Sequence, residues 1–143
     1  SSQVDDVAIL KIDMSPAGAR PIPVALDQEL STGETVIAMG NPSLKRKNQE
    51  GAAELAVGAV TIGHVAKAAV LNESGSGRSH KLDITIASGS SGGPVIRMRD
   101  GMIVGVITHV IREQIGSSYA SSGNLALATP AEQLDETLLL RYE

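Results

Sequence analysis

The 143-residue chain is 42% hydrophobic and 20% charged, a balance typical of a folded globular domain, and its length suits a single core. It contains no Cys, which excludes disulfides, thiolate metal sites and a cysteine nucleophile. A net charge of −4 and only 2 Tyr as aromatic residues argue against a nucleic-acid partner, and no apolar run approaches the roughly 20 residues that membrane insertion needs.

The first half of the chain predicts short strands. Residues 7–12 and 34–39 are apolar runs with several β-branched side chains, and both are typical of strands. The prolines between them allow at most an edge strand at residues 22–26. Further strand-like runs follow at residues 57–65, 68–71, 82–86, 94–98, 102–110 and 125–128.

Polar segments rich in Gly and Ser, residues 72–79 and 114–123, separate these runs and are predicted to be long loops. Eight or so short strands with Gly-rich turns predict an all-β barrel or sandwich.

The end of the chain predicts a helix. Thr129 is a capping residue, Pro130 suits the first helical position, and Glu132 stands three residues after the cap. Apolar residues at 131, 134 and 138 would then form one face that packs on the barrel.

The segment that carries chemistry is SGSSGGP at residues 88–94, which lies between two predicted strands and contains the pattern G-x-S-G-G-P. From average usage of Gly, Ser and Pro, a chance match is expected in fewer than about one in a thousand chains of this length. A serine becomes a nucleophile only when a base takes its proton and donors stabilise the oxyanion on the attacked carbonyl. Flanking glycines let backbone N–H groups converge on that oxyanion, so Ser91 is the candidate nucleophile.

Two other interpretations of this segment stay open. A Gly/Ser-rich turn without chemistry would have the same composition. A phosphate-binding loop fits less well, because no Gly-Lys-Ser/Thr follows and the segment leads into a strand instead of a helix.

Several segments, in chain order, resemble the trypsin-like serine proteases of the chymotrypsin fold, and more closely those of the HtrA/Deg type. The similar segments are DVAILKI at 6–12, GETV at 33–36 with MGNP at 39–42, VGAVT at 57–61, GMIVGVIT at 101–108 and NLALAT at 124–129. They cover nearly the whole chain, although only the serine motif is highly specific.

The resemblance implies a fold and a division of the chain. It implies an all-β, chymotrypsin-like, six-stranded antiparallel barrel followed by a C-terminal α-helix. Residues 31–143 would form the second barrel with the nucleophile, and residues 1–30 would be a remnant of the first barrel and the connection between barrels. It implies a peptide or protein substrate, no cofactor and no metal. The sequence does not determine the compartment, although the resemblance suggests an extracytoplasmic one.

The resemblance also assigns roles. Ser91 would be the nucleophile, the N–H groups of Gly89 and Ser91 would form the oxyanion hole, and Asp6 would orient the catalytic histidine; Asp5 suits that role less well, because the family's aspartate directly precedes the strand. The residues that would contact substrate are Thr85, Thr108, His109, Val110 and Asn124. No acidic residue stands at the base of the specificity pocket, which argues against cleavage after Lys or Arg and favours small or medium apolar side chains.

One departure from the family concerns histidine. In the family the order along the chain is histidine, aspartate, serine, whereas His64, His80 and His109 all follow Asp6. We therefore expect that the histidine-bearing part of the first barrel belongs to a longer parent, that the chain alone is catalytically weak or inert, and that its uncovered strand edges favour self-association.

Two alternatives to a truncated protease stay open. The chain could be a pseudo-protease, a peptide-binding module that kept the fold and lost the base. A histidine from another chain could instead complete the site. The sequence upstream of Ser1 separates the first alternative from an enzyme, and concentration-dependent labelling of Ser91 would reveal the second.

Overall fold

The computed structural model describes residues 7, 17–26, 30–41, 43–44, 54–55, 58–71, 78–86, 89–115 and 118–133. Asp5, Asp6, most of the predicted strand at 7–12 and residues 134–143 of the predicted terminal helix lie outside the described residues. In the described part of the chain, no helix is long and apolar enough to cross a bilayer.

The described residues form a closed barrel of six strands. Neighbours in the order β1-β4-β5-β8-β7-β6 are paired antiparallel, and β6 returns to β1 to close the barrel. The strands β2 and β3 pair separately as a small two-stranded sheet. The bounds are β1 Thr35–Gly40, β2 Ser43–Leu44, β3 Glu54–Leu55, β4 Ala59–Leu71, β5 Arg78–Asp83, β6 Pro94–Arg97, β7 Ile103–Ile115 and β8 Ser118–Pro130. The predicted all-β, six-stranded antiparallel barrel is confirmed.

Strand β4 differs from its prediction, because the runs at 57–65 and 68–71 are one continuous strand. It pairs with β5 through two register irregularities, between Val65 and Lys67 and between Lys67 and Val70. Ala69, inside the second irregularity, has a φ of 44°, which an L-residue rarely adopts. Bulges of this kind let a strand bend sharply without ending, so the polar break in the apolar pattern is not a loop.

The prediction of a loop at residues 114–123 is wrong. Strands β7 and β8 continue through most of it, with pairs from Arg112↔Ser121 to Ile115↔Ser118. Composition indicated a loop because Gly and Ser are frequent in turns. Ladder hydrogen bonds, however, need only a nearby backbone partner, and a hairpin brings one from the adjacent segment.

The core lies inside the barrel and follows the period-two alternation of its strands. In β1, Val36 and Ala38 point inward and are buried, while their neighbours are partly exposed. Ala25 and Leu30, which precede β1, also belong to the core. The other buried members of the core cluster are Val65, Leu82, Ile84, Val95, Val104, Ile107, Ala126 and Ala128.

Residues 23–25 pack along β7. Val24 forms a parallel bridge with Ile103, and the Ala25 N–H donates to the Ile103 carbonyl at 2.9 Å. The proposed boundary between residues 1–30 and 31–143 stays a prediction, although Ala25, on its N-terminal side, contributes to the barrel core.

At the other end of the described chain, Thr129 and Pro130 are the last residues of β8, and helical residues begin at Glu132. The local capping pattern therefore predicted a helix start about two residues too early. Pairing with β7 retains both residues in the sheet, since Val106↔Thr129 and Gly105↔Pro130 are ladder partners.

His80 on β5 is a buried polar side chain, only 4% exposed. Its Nδ1 accepts a hydrogen bond from the N–H of Ala69 at 3.1 Å, so it satisfies the backbone of the β4 bulge. Burial lowers the pKa of His80 to about 4, against a weaker opposing effect of a hydrogen bond to the Val104 backbone. The imidazole is therefore neutral near pH 7.

We expect His80 to make the fold sensitive to acid. Because its pKa is about 4 when folded and 6.5 when unfolded, the unfolded chain binds the proton first as the pH falls. Stability from this residue is thus complete above pH 6.5 and lost as the pH falls towards 4, a change of about 3 kcal/mol. Urea unfolding at pH 7, 5.5 and 4 measures it.

The matched control is His64→Gln, because His64 is exposed on β4. This variant should retain the acid dependence of the wild type, whereas His80→Gln should reduce it. An NMR titration gives a second readout that needs no variant. A His80 ring that titrates near pH 6.5 in the folded protein would contradict the expectation.

Candidate active site

Ser91 lies at the corner of a tight turn formed by residues 90–93. The Gly93 N–H donates to the Ser90 carbonyl at 3.0 Å, which closes the turn. Gly92, its third residue, has a φ of 86°, the positive value that a type II turn requires at this position. Ser91 occupies the second position and is exposed, so its side chain projects from the turn.

Strand β7 holds this turn in place. The Gly92 N–H donates to the Ile107 carbonyl at 2.7 Å, and the Ile107 N–H donates to the Gly93 carbonyl at 2.9 Å. The Ser91 hydroxyl donates to the Thr108 carbonyl at 3.3 Å, which is long for an O–H···O bond and therefore weak. The hydroxyl can thus exchange this partner for a stronger acceptor at little cost.

The backbone at residues 89–91 has two N–H groups without a partner among the described residues. Gly89 has a φ of 98°, a conformation that residues with a side chain rarely adopt. Within the described part of the chain, the N–H groups of Gly89 and Ser91 make no hydrogen bond, and both residues are exposed. These two N–H groups therefore remain available to an incoming oxygen.

Two cavities adjoin the turn. The larger, about 520 Å³, is lined by Ile22, Met39, Gly40, Asn41, Gly58, Gly89, Ser90, Ser91, Gly92, Gly93 and Pro94. The smaller, about 160 Å³, is lined by Ala38, Met39, Gly40, Ala59, Thr61, Thr85, Ile86, Ser90 and Ile107. Ser90, directly before the candidate nucleophile, contributes to both.

The predicted substrate-contacting residues lie in different places. Thr85 lines the smaller cavity. The Thr108 backbone carbonyl accepts a hydrogen bond from the Ser91 hydroxyl. The Thr108 hydroxyl donates to the Leu127 carbonyl at 3.3 Å. His109 is exposed on β7 and lines neither cavity.

For Val110 and Asn124 the structure describes only the backbone, as part of β7 and β8 respectively. Their predicted contacts with substrate, like the role of Asp6, therefore fall outside the described residues.

None of the three histidines, all of which are described, forms a hydrogen bond with the Ser91 hydroxyl. His80 is buried and bonded to Ala69. His64 pairs with Thr35, five residues along β1 from Gly40, which puts it about 17 Å from the strand end at the cavities. The one hydrogen bond that the described residues give the Ser91 hydroxyl is to Thr108.

Sequence reasoning missed the contact between the end of β1 and the serine turn. Gly40 and Ser90 were not assigned a role, yet a Cβ on Gly40 would lie 2.7 Å from the Ser90 Cβ. The available signal was the MGNP segment at 39–42. Its Asn41 also accepts a hydrogen bond from the Gly58 N–H at 2.8 Å, which joins two rim segments.

Among the described residues, no three His, Cys, Asp or Glu side chains are grouped as metal ligands would be. The cavities are instead lined by apolar side chains, glycine backbone and hydroxyl groups.

Comparison with known proteins bears on both the fold and the serine turn. A solved structure, Rv3671c from M. tuberculosis H37Rv in an inactive serine-to-alanine mutant form, is similar with a TM-score of 0.59 and 15% sequence identity. The similarity covers 86% of this chain but 54% of Rv3671c, so the chain spans about half the length of that protein. At this identity the likeness shows the fold alone. Among curated proteins, none matches significantly.

The sequence profile of the trypsin-like peptidase domain matches residues 1–106, well over half of the chain and inclusive of the serine turn. With its closed antiparallel barrel and a glycine-framed serine at the rim, the chain belongs to the family of trypsin-like peptidase domains.

Proposed function

We propose that this chain is the nucleophile-bearing part of a serine endopeptidase, which hydrolyses peptide bonds through an acyl-enzyme on Ser91. The observation that supports this most is the exposed Ser91 at the corner of a glycine turn, beside a cavity of about 520 Å³. Its hydroxyl is held only weakly by Thr108. A base can therefore accept its proton without first breaking a strong hydrogen bond.

The proposed chemistry follows the general course of acyl transfer. The Ser91 oxygen attacks the peptide carbonyl while its proton passes to a base, and the resulting oxyanion accepts hydrogen bonds from the N–H groups of Gly89 and Ser91. The C–N bond then breaks and the base protonates the leaving amine. Water hydrolyses the ester in the same way, which regenerates the Ser91 hydroxyl.

The base is proposed to come from outside these 143 residues. His80 is buried, His64 lies far along β4, and His109 lines neither cavity. A histidine on a segment that docks beside Ser91, oriented by Asp6, would complete the triad. The chain alone should then retain only the residual rate that binding and the oxyanion donors supply.

Substrate preference is proposed to depend on the smaller cavity. Its volume is about 160 Å³ and Thr85 is among its lining residues. An apolar cavity of about 150 Å³ accommodates a molecule the size of benzene, so a small or medium apolar side chain fits here. As the resemblance to the protease family implies, the substrate backbone would lie along β7 and the peptide would contact Thr108, His109, Val110 and Asn124.

Labelling with a fluorophosphonate tests this function. The 143-residue chain and a form extended upstream by a histidine-bearing segment are both treated, and the adduct is located by mass spectrometry. We expect a fast adduct on Ser91 in the extended form and a slow one in the chain alone. An adduct on a different serine, or none in the extended form, would refute the proposal.

A non-catalytic peptide-binding module is the second candidate, and the absence of a histidine contact on Ser91 favours it. It predicts that the natural upstream sequence contains no histidine to complete the triad, and that the chain, alone or extended by that sequence, binds peptide without being labelled. A site completed by a histidine from another copy of the chain predicts labelling whose rate constant rises with protein concentration.

A further inference from the structure

The end of strand β1 lies unusually close to the serine turn. A Cβ built on Gly40 would lie 2.7 Å from the Ser90 Cβ, 2.8 Å from its Oγ and 2.9 Å from its Cα. Cβ atoms are essentially never this close to another heavy atom. Gly40 is not among the residues with positive φ, so its backbone conformation does not require glycine. Position 40 therefore requires glycine only because there is no room for a side chain.

A second glycine, Gly93 at the end of the turn, also packs closely against the end of β1. A Cβ on Gly93 would collide with the Met39 carbonyl oxygen and would lie 2.9 Å from the Ser90 carbonyl oxygen. Gly93 likewise has no positive φ. The last two residues of β1 therefore pack tightly against the two ends of the turn, Gly40 against Ser90 and the Met39 carbonyl against Gly93.

Ser90 is the residue that fills this space. It is 8% exposed, whereas its neighbours Gly89 and Ser91 are exposed. The Ser90 side chain therefore anchors the turn in the barrel, while the next residue projects towards the cavity.

We infer that Gly40 is a positioning residue for Ser91: the space left by its missing side chain receives Ser90 and sets the height of the nucleophile turn above β1. This inference rests on the proposed function in so far as it concerns catalysis. The placement of the turn itself can be tested without activity.

An added methyl group at position 40 should displace the turn and not the strand. Strand β1 is paired on both sides, with Gly40↔Ala59 on β4 and Ala38↔Val95 on β6. The turn is exposed on its outer side and can move. Restoring an ordinary contact of 3.4 Å from 2.7 Å requires a shift of about 0.7 Å (3.4 − 2.7). A misplacement of about 1 Å at a reacting group costs about 100-fold in rate.

The first experiment measures the turn directly by amide hydrogen exchange in the 143-residue chain. Gly40→Ala should speed exchange of the Gly92 and Ile107 N–H groups, which join the turn to β7, by tenfold or more. The Leu82 N–H on β5 should be unchanged. If Gly92 and Ile107 exchange as in the unsubstituted chain, the inference is wrong.

The second experiment measures the consequence for chemistry in the form that contains the histidine-bearing segment. Gly40→Ala should lower kcat and the rate of fluorophosphonate labelling by about 100-fold, with little change in KM. Ser90→Gly in the same background removes the crowded Cβ and Oγ and should raise kcat and the labelling rate again by at least tenfold. The assignment would be overturned if Gly40→Ala raised KM without lowering kcat, or if Ser90→Gly did not restore the lost kcat.

Gly63→Ala on β4 is the matched control. A Cβ there would meet the Asp83 carbonyl and the Ile84 side chain, so this glycine is also required by space, but far along the strand from the turn. It should lower stability while the folded fraction retains the unsubstituted kcat.

If Gly40→Ala does not fold, Ser90→Thr adds a methyl group to the same contact from the turn side and should give the same increase in exchange. The protease function and the positioning role of Gly40 can be refuted independently of each other. Faster exchange at Gly92 with no labelling of Ser91 in the unsubstituted extended form would refute the protease and leave the positioning contact established.

Discussion

Replacement of Ser91 by alanine in the histidine-containing form is expected to lower kcat by about 10⁴- to 10⁶-fold. The reason is that the other hydroxyl of the turn, on Ser90, is buried against Gly40, whereas the N–H groups of Gly89 and residue 91 stay in place. Substrate binding should therefore be nearly unchanged, and the loss should appear in kcat and not in KM. Steady-state kinetics on a peptide with an apolar residue before the scissile bond measures both.

Ser79→Ala is the control for this prediction, because Ser79 lies on β5, pairs with Val70 and lines neither cavity. It should change kcat less than about threefold, which is well within the effect of a substitution away from the reacting atoms. A Ser91→Ala variant that retains activity within tenfold of the unsubstituted enzyme would exclude Ser91 as the nucleophile.

Arg97→Ala is expected to lower the free energy of unfolding by about 2 to 4 kcal/mol, mainly because it removes a large, fully buried side chain. The Arg97 side chain is 0% exposed at the end of β6. It donates to both carboxylate oxygens of Asp100, from Nη2 at 2.7 Å and from Nε at 3.1 Å. The Glu34 Oε1 lies 3.8 Å from its Nε. Alanine would leave these carboxylates without their buried cation and would open a cavity.

Arg99 provides a matched comparison in the same cluster. Its Nε lies 3.3 Å from the Glu34 Oε1, but its side chain is 59% exposed. Water can solvate the Glu34 carboxylate once an exposed cation is removed. Arg99→Ala should therefore lower the free energy of unfolding by no more than about 1 kcal/mol. Urea unfolding at pH 7 compares the two variants. Equal losses for Arg97→Ala and Arg99→Ala would show that burial of the Arg97 guanidinium does not matter.

The parts of the fold that the sequence predicted are those with local causes. Period-two alternation in TVIAMG points Val36 and Ala38 inward whatever the partner strand is, so the strand at 34–39 was recognised within one residue of β1. The strand at 94–98 was found for the same reason. Turn formation at 90–93 also has a local cause, because Gly92 must adopt positive φ there.

Other features depend on which strands and side chains come together in the fold, and they could not be predicted from local patterns. The two runs at 57–65 and 68–71 are joined in β4 because a bulge is stabilised by His80 from the next strand. The ribbon of β7 and β8 continues through a polar segment because each strand finds its partner in the other. The sequence placed Arg97 in the strand-like run at 94–98 without indicating burial, and its side chain can be buried because Asp100 and Glu34 neutralise it.

The sequence alone determined that this chain is an all-β protein with a glycine-framed serine motif, since alternation and glycine-dependent turns act over a few residues. Tertiary structure decided how that serine is held. Gly40 and Ser90 are brought together by the pairing of β1 with β6 that closes the barrel, and Thr108 and Ser91 by the pairing of β6 with β7. Contact between such residues depends on strand register, which no single segment carries.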